Sequence, residues 1–278
     1  MDMLREVQLK ELEILREVKR ICEKHGIPYF LACGTLLGAV RHQGFIPWDD
    51  DVDISMFYED YLRFLEICKT ELDPRFFLQN YMTDDNDQQA FTKIRMNNTA
   101  FIPVHHTKHH IHQGIAIDIF PLSGLSGNRF SLSLKKKIVQ VSNYVQAQGY
   151  IAANYEEFEE KLGGAGIRML FLFYKLPFRF RRWLHAFLLR RVLKPCKGKK
   201  LIATVWMSIS DRDIHPASVF ENTVFLPFEG ESFPAPAGYE EYLSIQYGDY
   251  MQLPPEEDRR AHGKMIVDLE NDYTKYLK

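Results

Sequence analysis

The stretch Asp51-Val-Asp-Ile-Ser-Met56 alternates without a break, with Asp51, Asp53 and Ser55 on one face of an extended chain and Val52, Ile54 and Met56 on the other. It predicts a strand that buries its apolar face and carries two carboxylates on the opposite face, about 6 to 7 Å apart. Carboxylates that close do not both stay ionised without a cation between them. The expected partner is a hard divalent ion, Mg²⁺ with Mn²⁺ as a substitute, held between the pair and the phosphates of a substrate. Taken alone, an Asp-x-Asp also reads as a solvated acidic turn, so its surroundings decide the matter.

Two neighbours do so. Gly114 to Phe120 predicts a second strand, with Ala116, Asp118 and Phe120 opposite Ile115, Ile117 and Ile119, and Pro121 is expected to end it. A lone Asp in so apolar a strand is expensive unless it is used. Placed beside the first pair, Asp118 completes a metal site or takes a proton from an attacking hydroxyl. Upstream, a short strand from Tyr29 to Cys33 breaks at Gly34, and a helix restarts over Thr35 to His42. Gly34 and Thr35 then sit where free amides and the helix dipole can hold a phosphate, although a tight turn alone also accounts for the glycine. A phosphate clamp and a divalent site are the parts of a phosphoryl-transfer centre.

The rest of the chain mixes both element types. An amphipathic helix opens it, with Leu4, Val7, Ile14, Val18 and Ile21 at helical spacing, and stops at Gly26 and Pro28. Tyr58 to Leu72 predicts a helix. Phe76 to Gln79, Phe91 to Met96 and Thr99 to His105 predict strands, as does Thr223 to Phe228. A turn at Gly230 and a helix from Tyr239 to Tyr247 follow. This is an α+β pattern, a mixed sheet flanked by helices, with a catalytic unit formed by residues 1–127 and 211–278.

Residues 128–210 differ in kind. Between Leu162 and Ser210 stand eleven Lys or Arg and no Asp or Glu, while the chain of 278 residues has a net charge of only −2. Nucleic acid is therefore not an expected partner of the whole chain. The basic residues interleave with Leu170, Phe171, Phe173, Phe178, Phe180, Trp183 and Phe187, the composition of helices lying on an anionic membrane surface. A cap that packs its aromatics inward is the plainer alternative. Gly163-Gly164-Ala165-Gly166 lacks the lysine of a phosphate loop and reads as a helix breaker. No apolar run is long enough to span a bilayer. Four scattered cysteines, and a charged rather than apolar opening, point to a reducing, cytoplasmic setting at the inner face of the membrane.

At these residues the chain resembles a known family. The run Gly34-Thr-Leu-Leu-Gly-Ala-Val-Arg-His-Gln-Gly-Phe-Ile-Pro-Trp-Asp-Asp-Asp-Val-Asp-Ile54 is similar to the signature of the LicD family, which includes bacterial phosphorylcholine transferases and is related to fukutin-type proteins. The likeness continues in Lys93-Ile-Arg95, Asn98-Thr-Ala-Phe-Ile102, Gly114-Ile-Ala-Ile-Asp-Ile-Phe-Pro-Leu122, Tyr247-Gly-Asp-Tyr-Met251 and Pro254-Pro255. It implies a nucleotidyltransferase-like fold used as a phosphotransferase. Such an enzyme takes a phospho-alcohol from a CDP-alcohol, CDP-choline being favoured, and attaches it to a hydroxyl of a glycan or lipid-linked glycan with release of CMP. Asp51 and Asp53 match the family's metal pair, and Asp118 matches its acidic strand residue.

Further substrate-binding candidates are Arg41, His42, Lys93, Arg95 and His112. Lys93 and Arg95 share a strand face and can neutralise developing charge. Trp48 either covers a choline ammonium or seals the base of its loop, with sealing favoured. His105, His106, His109, His110 and His112 could attract zinc or nickel by composition, but a flexible loop with His112 nearest the substrate is the expected reading. Asn97-Asn98-Thr99 matches a glycosylation acceptor and is expected to be idle. The alternatives are a nucleotidyltransferase acting from ATP or CTP and a non-catalytic membrane scaffold.

Overall fold

A computed structural model describes residues 2–87, 89–125, 128–146, 176–206, 208–261 and 263–278. The opening helix, α1 (Met3–His25), starts on Asp2, whose side chain accepts from the Leu4 amide, and closes on Gly26 at φ +59°. That left-handed turn suits glycine and ends the helix as its sequence demands. Its buried stripe of Val7, Ile14, Leu15, Val18 and Ile21 covers one face of the main sheet.

The sheet is built from β1 (Phe30–Leu31), β2 (Asp53–Phe57), β3 (Phe76–Gln79), β4 (Thr92–Met96), β6 (Ala116–Leu125), β7 (Leu201–Thr204) and β8 (Ile214–Pro216). The order runs β1-β2-β6-β4-β3, and β7 joins β6 beyond the end of β4 and carries β8. Among the described strands β2 and β6 form the parallel pair, and the other ladders are antiparallel. After β1 comes α2 (Cys33–His42), and Val52, Ile54, Met56, Ile115, Ile117, Ile119 and Ile94 point into the core beneath α1 and α3 (Tyr58–Glu71). The period-two alternation therefore sends Asp53, Asp118 and Lys93 to the opposite face.

The fold is α+β, as its pattern predicts, but several boundaries move. Pro121 does not end β6, which continues to Leu125. The Pro121 carbonyl accepts from Val205 on the edge where β4 has stopped and β7 begins, so the missing N–H falls in the gap between two ladders and costs no hydrogen bond. β7 lies within the stretch expected to be an insertion, yet it is a full member of the sheet. Its pairing with Leu122–Leu125 supplies a partner that no local pattern announces.

Of the expected insertion, α4 (Arg129–Gln146) and α5 (Phe178–Val192) are described. They pack on each other and on the sheet through Val139, Leu189, Val192, Ala203 and Val205. The four-residue Gly-rich run and the apolar residues Leu170, Phe171 and Phe173 lie outside the described residues. Among the described residues no helix is long and apolar enough to cross a membrane.

Beyond β8, a hairpin of β9 (Thr223–Phe228) and β10 (Glu231–Pro236) turns at Glu229 and Gly230, both at positive φ. β10 contains Pro234 and Pro236 and gave no strand signal of its own; its pairing with β9 makes it one. α6 (Tyr239–Tyr247) follows, and β11 (Met265–Asp268) pairs with β5 (Ala100–Pro103).

Candidate active site

Lys93 on β4, Asp118 on β6 and Asp53 on β2 stand in one row across three adjacent strands, since Asp118 is the register partner of both. Lys93 Nζ lies 2.5 Å from Asp118 Oδ1. Asp51 precedes β2 rather than belonging to it, and the Asp118 amide donates to the Val52 carbonyl, which ties that approach to β6.

The carboxylates crowd one another. Burial first, then Asp51, Asp118 and Asp49, push the Asp53 carboxyl well above its usual range, against an opposing effect of Lys93. Glu11 on α1 is 1% exposed, and its Oε2 has no hydrogen-bond partner. Burial, followed by Asp51, Asp50, Asp49 and Asp118, raises its carboxyl as well. Glu11 carries no signal of this in the chain, because on a helical wheel it looks like a polar residue at the margin of an apolar stripe.

Two cavities meet at this row. The larger, about 720 Å³, is walled by Asp51, Asp53, Phe91, Phe120, Trp206 and Tyr247. The smaller, about 270 Å³, is lined by Arg95, His105, His106, His109 and Gln113, and shares Asp51, Gln89, Lys93 and Asp118 with the first. Alternation already sets Phe120 on the face of Asp118, and the same rule sets Phe91 on the face of Lys93. Trp206 carries no such signal, because it reaches the cavity only through β7.

The remaining candidates have definite places. Thr35 is buried, and its Oγ1 accepts from the Asp53 amide at 2.8 Å, so it positions β2. A Cβ on Gly34 would lie 2.7 Å from Asp49 Oδ2. Asp49 thus lies against Gly34, and of Cys33, Gly34 and Thr35 it is Cys33 that lines the cleft. Arg95 is buried and donates to Gln79 Oε1 and to the Gly114 carbonyl.

His112 does not line either cavity. It stacks on Phe77, accepts from the Gly114 amide and bonds Asn97 Oδ1, and burial lowers it to about 3, so the ring stays neutral. The side of the histidine loop that faces the cleft is instead His105, His106 and His109. Gln113 pins that loop by donating to the carbonyls of His106 and His109.

Arg41 and Trp48 line a separate cavity of about 550 Å³ that meets the acidic cleft at Tyr247. Arg41 donates to the Tyr250 carbonyl. The Trp48 ring lies 5.5 Å from the Arg259 guanidinium and edge-on to His42, so a cation already covers it.

A row of carboxylates and a lysine between two cavities has the chemistry of a phosphoryl-transfer site, and the chain is similar to proteins named for such transfers. Residues 26–154 match the family described as LicD/FKTN/FKRP, nucleotidyltransferase domain. The chain is 31% identical over 268 residues to the lipopolysaccharide cholinephosphotransferase LicD of Haemophilus influenzae, covering 93% of this chain and 95% of that one. Shorter matches reach the human ribitol 5-phosphate transferase FKRP, 47% identical over 53 residues (18% of this chain, 11% of that protein), and human FKTN, 39% identical over 49 residues (18% and 11%). Likeness over almost the whole length, to a protein of almost the same length, leaves one conclusion: the chain belongs to the LicD family of phosphotransferases.

Proposed function

We propose that the protein transfers a phospho-alcohol, phosphocholine first among them, from a CDP-alcohol to a hydroxyl of a cell-surface glycan or its lipid-linked precursor. The observation that carries this reading is the Lys93–Asp118–Asp53 row at the junction of two cavities. The choice of choline leans on the relative from Haemophilus influenzae.

The residues fit Mg²⁺. Asp51 and Asp53 would hold it with Asp118 close by, and the crowding that raises Asp53 is the excess of negative charge such an ion relieves. Among the described residues no three His, Cys, Asp or Glu side chains form a ready cage. The remaining ligands of such an ion would have to be substrate phosphates and water. When bound, the ion supplies neutralisation of the donor diphosphate.

Asp118 accepts the proton of the acceptor hydroxyl as its oxygen bonds to the phosphorus bearing the alcohol. The bond from that phosphorus to the oxygen bridging it to CMP breaks, and CMP leaves with the electron pair. Lys93, already against Asp118, donates to the phosphoryl oxygens as their charge grows.

The proposed place of action is the membrane surface. Phe180, Trp183 and Phe187 form a stacked, exposed ridge on α5, flanked by exposed Arg179, Arg190 and Arg191. This ridge supports a peripheral position on the anionic inner leaflet, where lipid-linked acceptors are presented.

The test is product analysis with CDP-choline, CDP-ribitol and CDP-glycerol over a set of glycan acceptors, with and without Mg²⁺. CMP released only with Mg²⁺ and acceptor supports the reading. Pyrophosphate from CTP or ATP would replace it with nucleotidyl transfer.

A further inference from the structure

The larger cavity has two kinds of aromatic wall. Phe91 and Phe120 are buried and pack ring to ring at 4.8 Å, and Lys93 Nζ already sits 5.2 Å from the Phe91 centroid. Trp206 and Tyr247, by contrast, are 41% and 45% exposed and line the same space. Asp213 also lines it, 6% exposed, with its Oδ2 accepting from the Ser210 amide at 2.6 Å. In all, four carboxylates face this cavity against the two cations Lys93 and Arg212.

Open aromatic faces in an acid-rich cavity select a particular guest. A primary ammonium is best held by hydrogen-bond acceptors, and a polyol needs both donors and acceptors. A quaternary ammonium has no N–H at all and binds through its diffuse charge to ring faces.

Building on the reading of the protein as a CDP-alcohol transferase, we propose that Trp206 and Tyr247 hold the trimethylammonium head of the transferred alcohol, with Asp213 as its counter-charge. This wall is then what distinguishes choline from ribitol or glycerol. The nucleoside end of the donor is left to the smaller cavity, whose walls of histidine and glutamine offer hydrogen bonds. Lys93 and the carboxylates shared by both cavities lie between, where the diphosphate must pass.

Calorimetric titration of the full chain with Mg²⁺ tests this, using CDP-choline, its uncharged carbon isostere (the CDP ester of 3,3-dimethylbutanol) and CMP. Wild type is expected to prefer CDP-choline over the isostere by about 2- to 30-fold. Trp206→Leu should bring that ratio close to one while leaving CMP affinity within twofold, and Trp206→Phe, which keeps a ring, should give an intermediate ratio. If Trp206→Leu weakens CMP as much as CDP-choline, the ring stacks on the cytosine and the proposal fails. It fails equally if wild type treats the charged and uncharged donors alike. Absence of binding by CMP and by every CDP-alcohol would overturn the transferase reading itself, and this proposal with it.

Discussion

Asp53 of β2 and Asp118 of β6 are register partners across the parallel strand pair of the main sheet, so the backbone ladder itself sets the spacing of the two carboxylates. Neither depends on a loop for its place. Asp53→Asn and Asp118→Asn should therefore keep the fold and each lower turnover by about 10²-fold or more. Because Asp53 is crowded by burial, Asp51, Asp118 and Asp49, its Asn variant should melt no lower than wild type at pH 7.5 without metal. Turnover within tenfold of wild type in either variant would remove the proposed mechanism.

His215 gives the protein an acid-sensitive point. It is fully buried, stacked on Tyr242 at 4.2 Å, and neither ring nitrogen has a hydrogen-bond partner. Burial lowers it to about 4, against about 6.5 in an unfolded chain. Between those values the unfolded state binds more protons, so His215 favours folding above pH 6.5 and loses that contribution as pH falls toward 4. His215→Phe fills similar space without a titrating group. Melting curves from pH 7 to pH 4.5 should show a shallower fall for the variant; equal slopes would exclude His215 as the cause.

Two glycines beside the site should respond differently to the same change. A Cβ on Gly114 would meet the Met96 carbonyl at 2.2 Å, and backbone in a paired strand cannot step aside. Gly114→Ala should cost about 2 to 3 kcal/mol, readable as a clear drop in denaturation midpoint. At Gly34 the obstacle is the far end of the Asp49 side chain, which can rotate. Gly34→Ala should cost about 1 kcal/mol or less. The reverse order of the two variants would contradict the packing described.

The exposed ridge of α5 can be tested apart from catalysis. Trp183→Ser with Phe187→Ser should weaken co-sedimentation with anionic vesicles at low salt several-fold. Turnover of a soluble acceptor should be unchanged, since neither ring lines the cleft. Equal vesicle binding by the double variant and wild type would remove the membrane role of this ridge.

Much of the site was legible in the chain. Strict alternation around Asp53 and Asp118 marked both as carboxylates on the polar face of otherwise apolar strands, and the same rule assigned Lys93 to its face. Alternation is a local property of extended backbone, so it survives without knowledge of which strands pair. His112 shows where this stops. It belongs to a histidine-rich loop whose inward side cannot be read from spacing, because an irregular backbone has no period. The loop turns His112 into packing against Phe77 and presents His105, His106 and His109 to the cleft instead.

Local order along the chain sets the opening helix, the apolar strands, the face on which each carboxylate lies and the contrast between the basic helices and the rest of the chain. All of these follow from neighbours a few residues apart. Long-range pairing alone brings β7 from the basic region alongside β6 past Pro121, Trp206 thereby to the acidic cleft, Thr35 Oγ1 to the Asp53 amide and Asp49 against Gly34. Those outcomes depend on strand pairing and close approach between residues far apart in the chain. Such contacts form where the whole core packs best, and no short stretch of sequence encodes them.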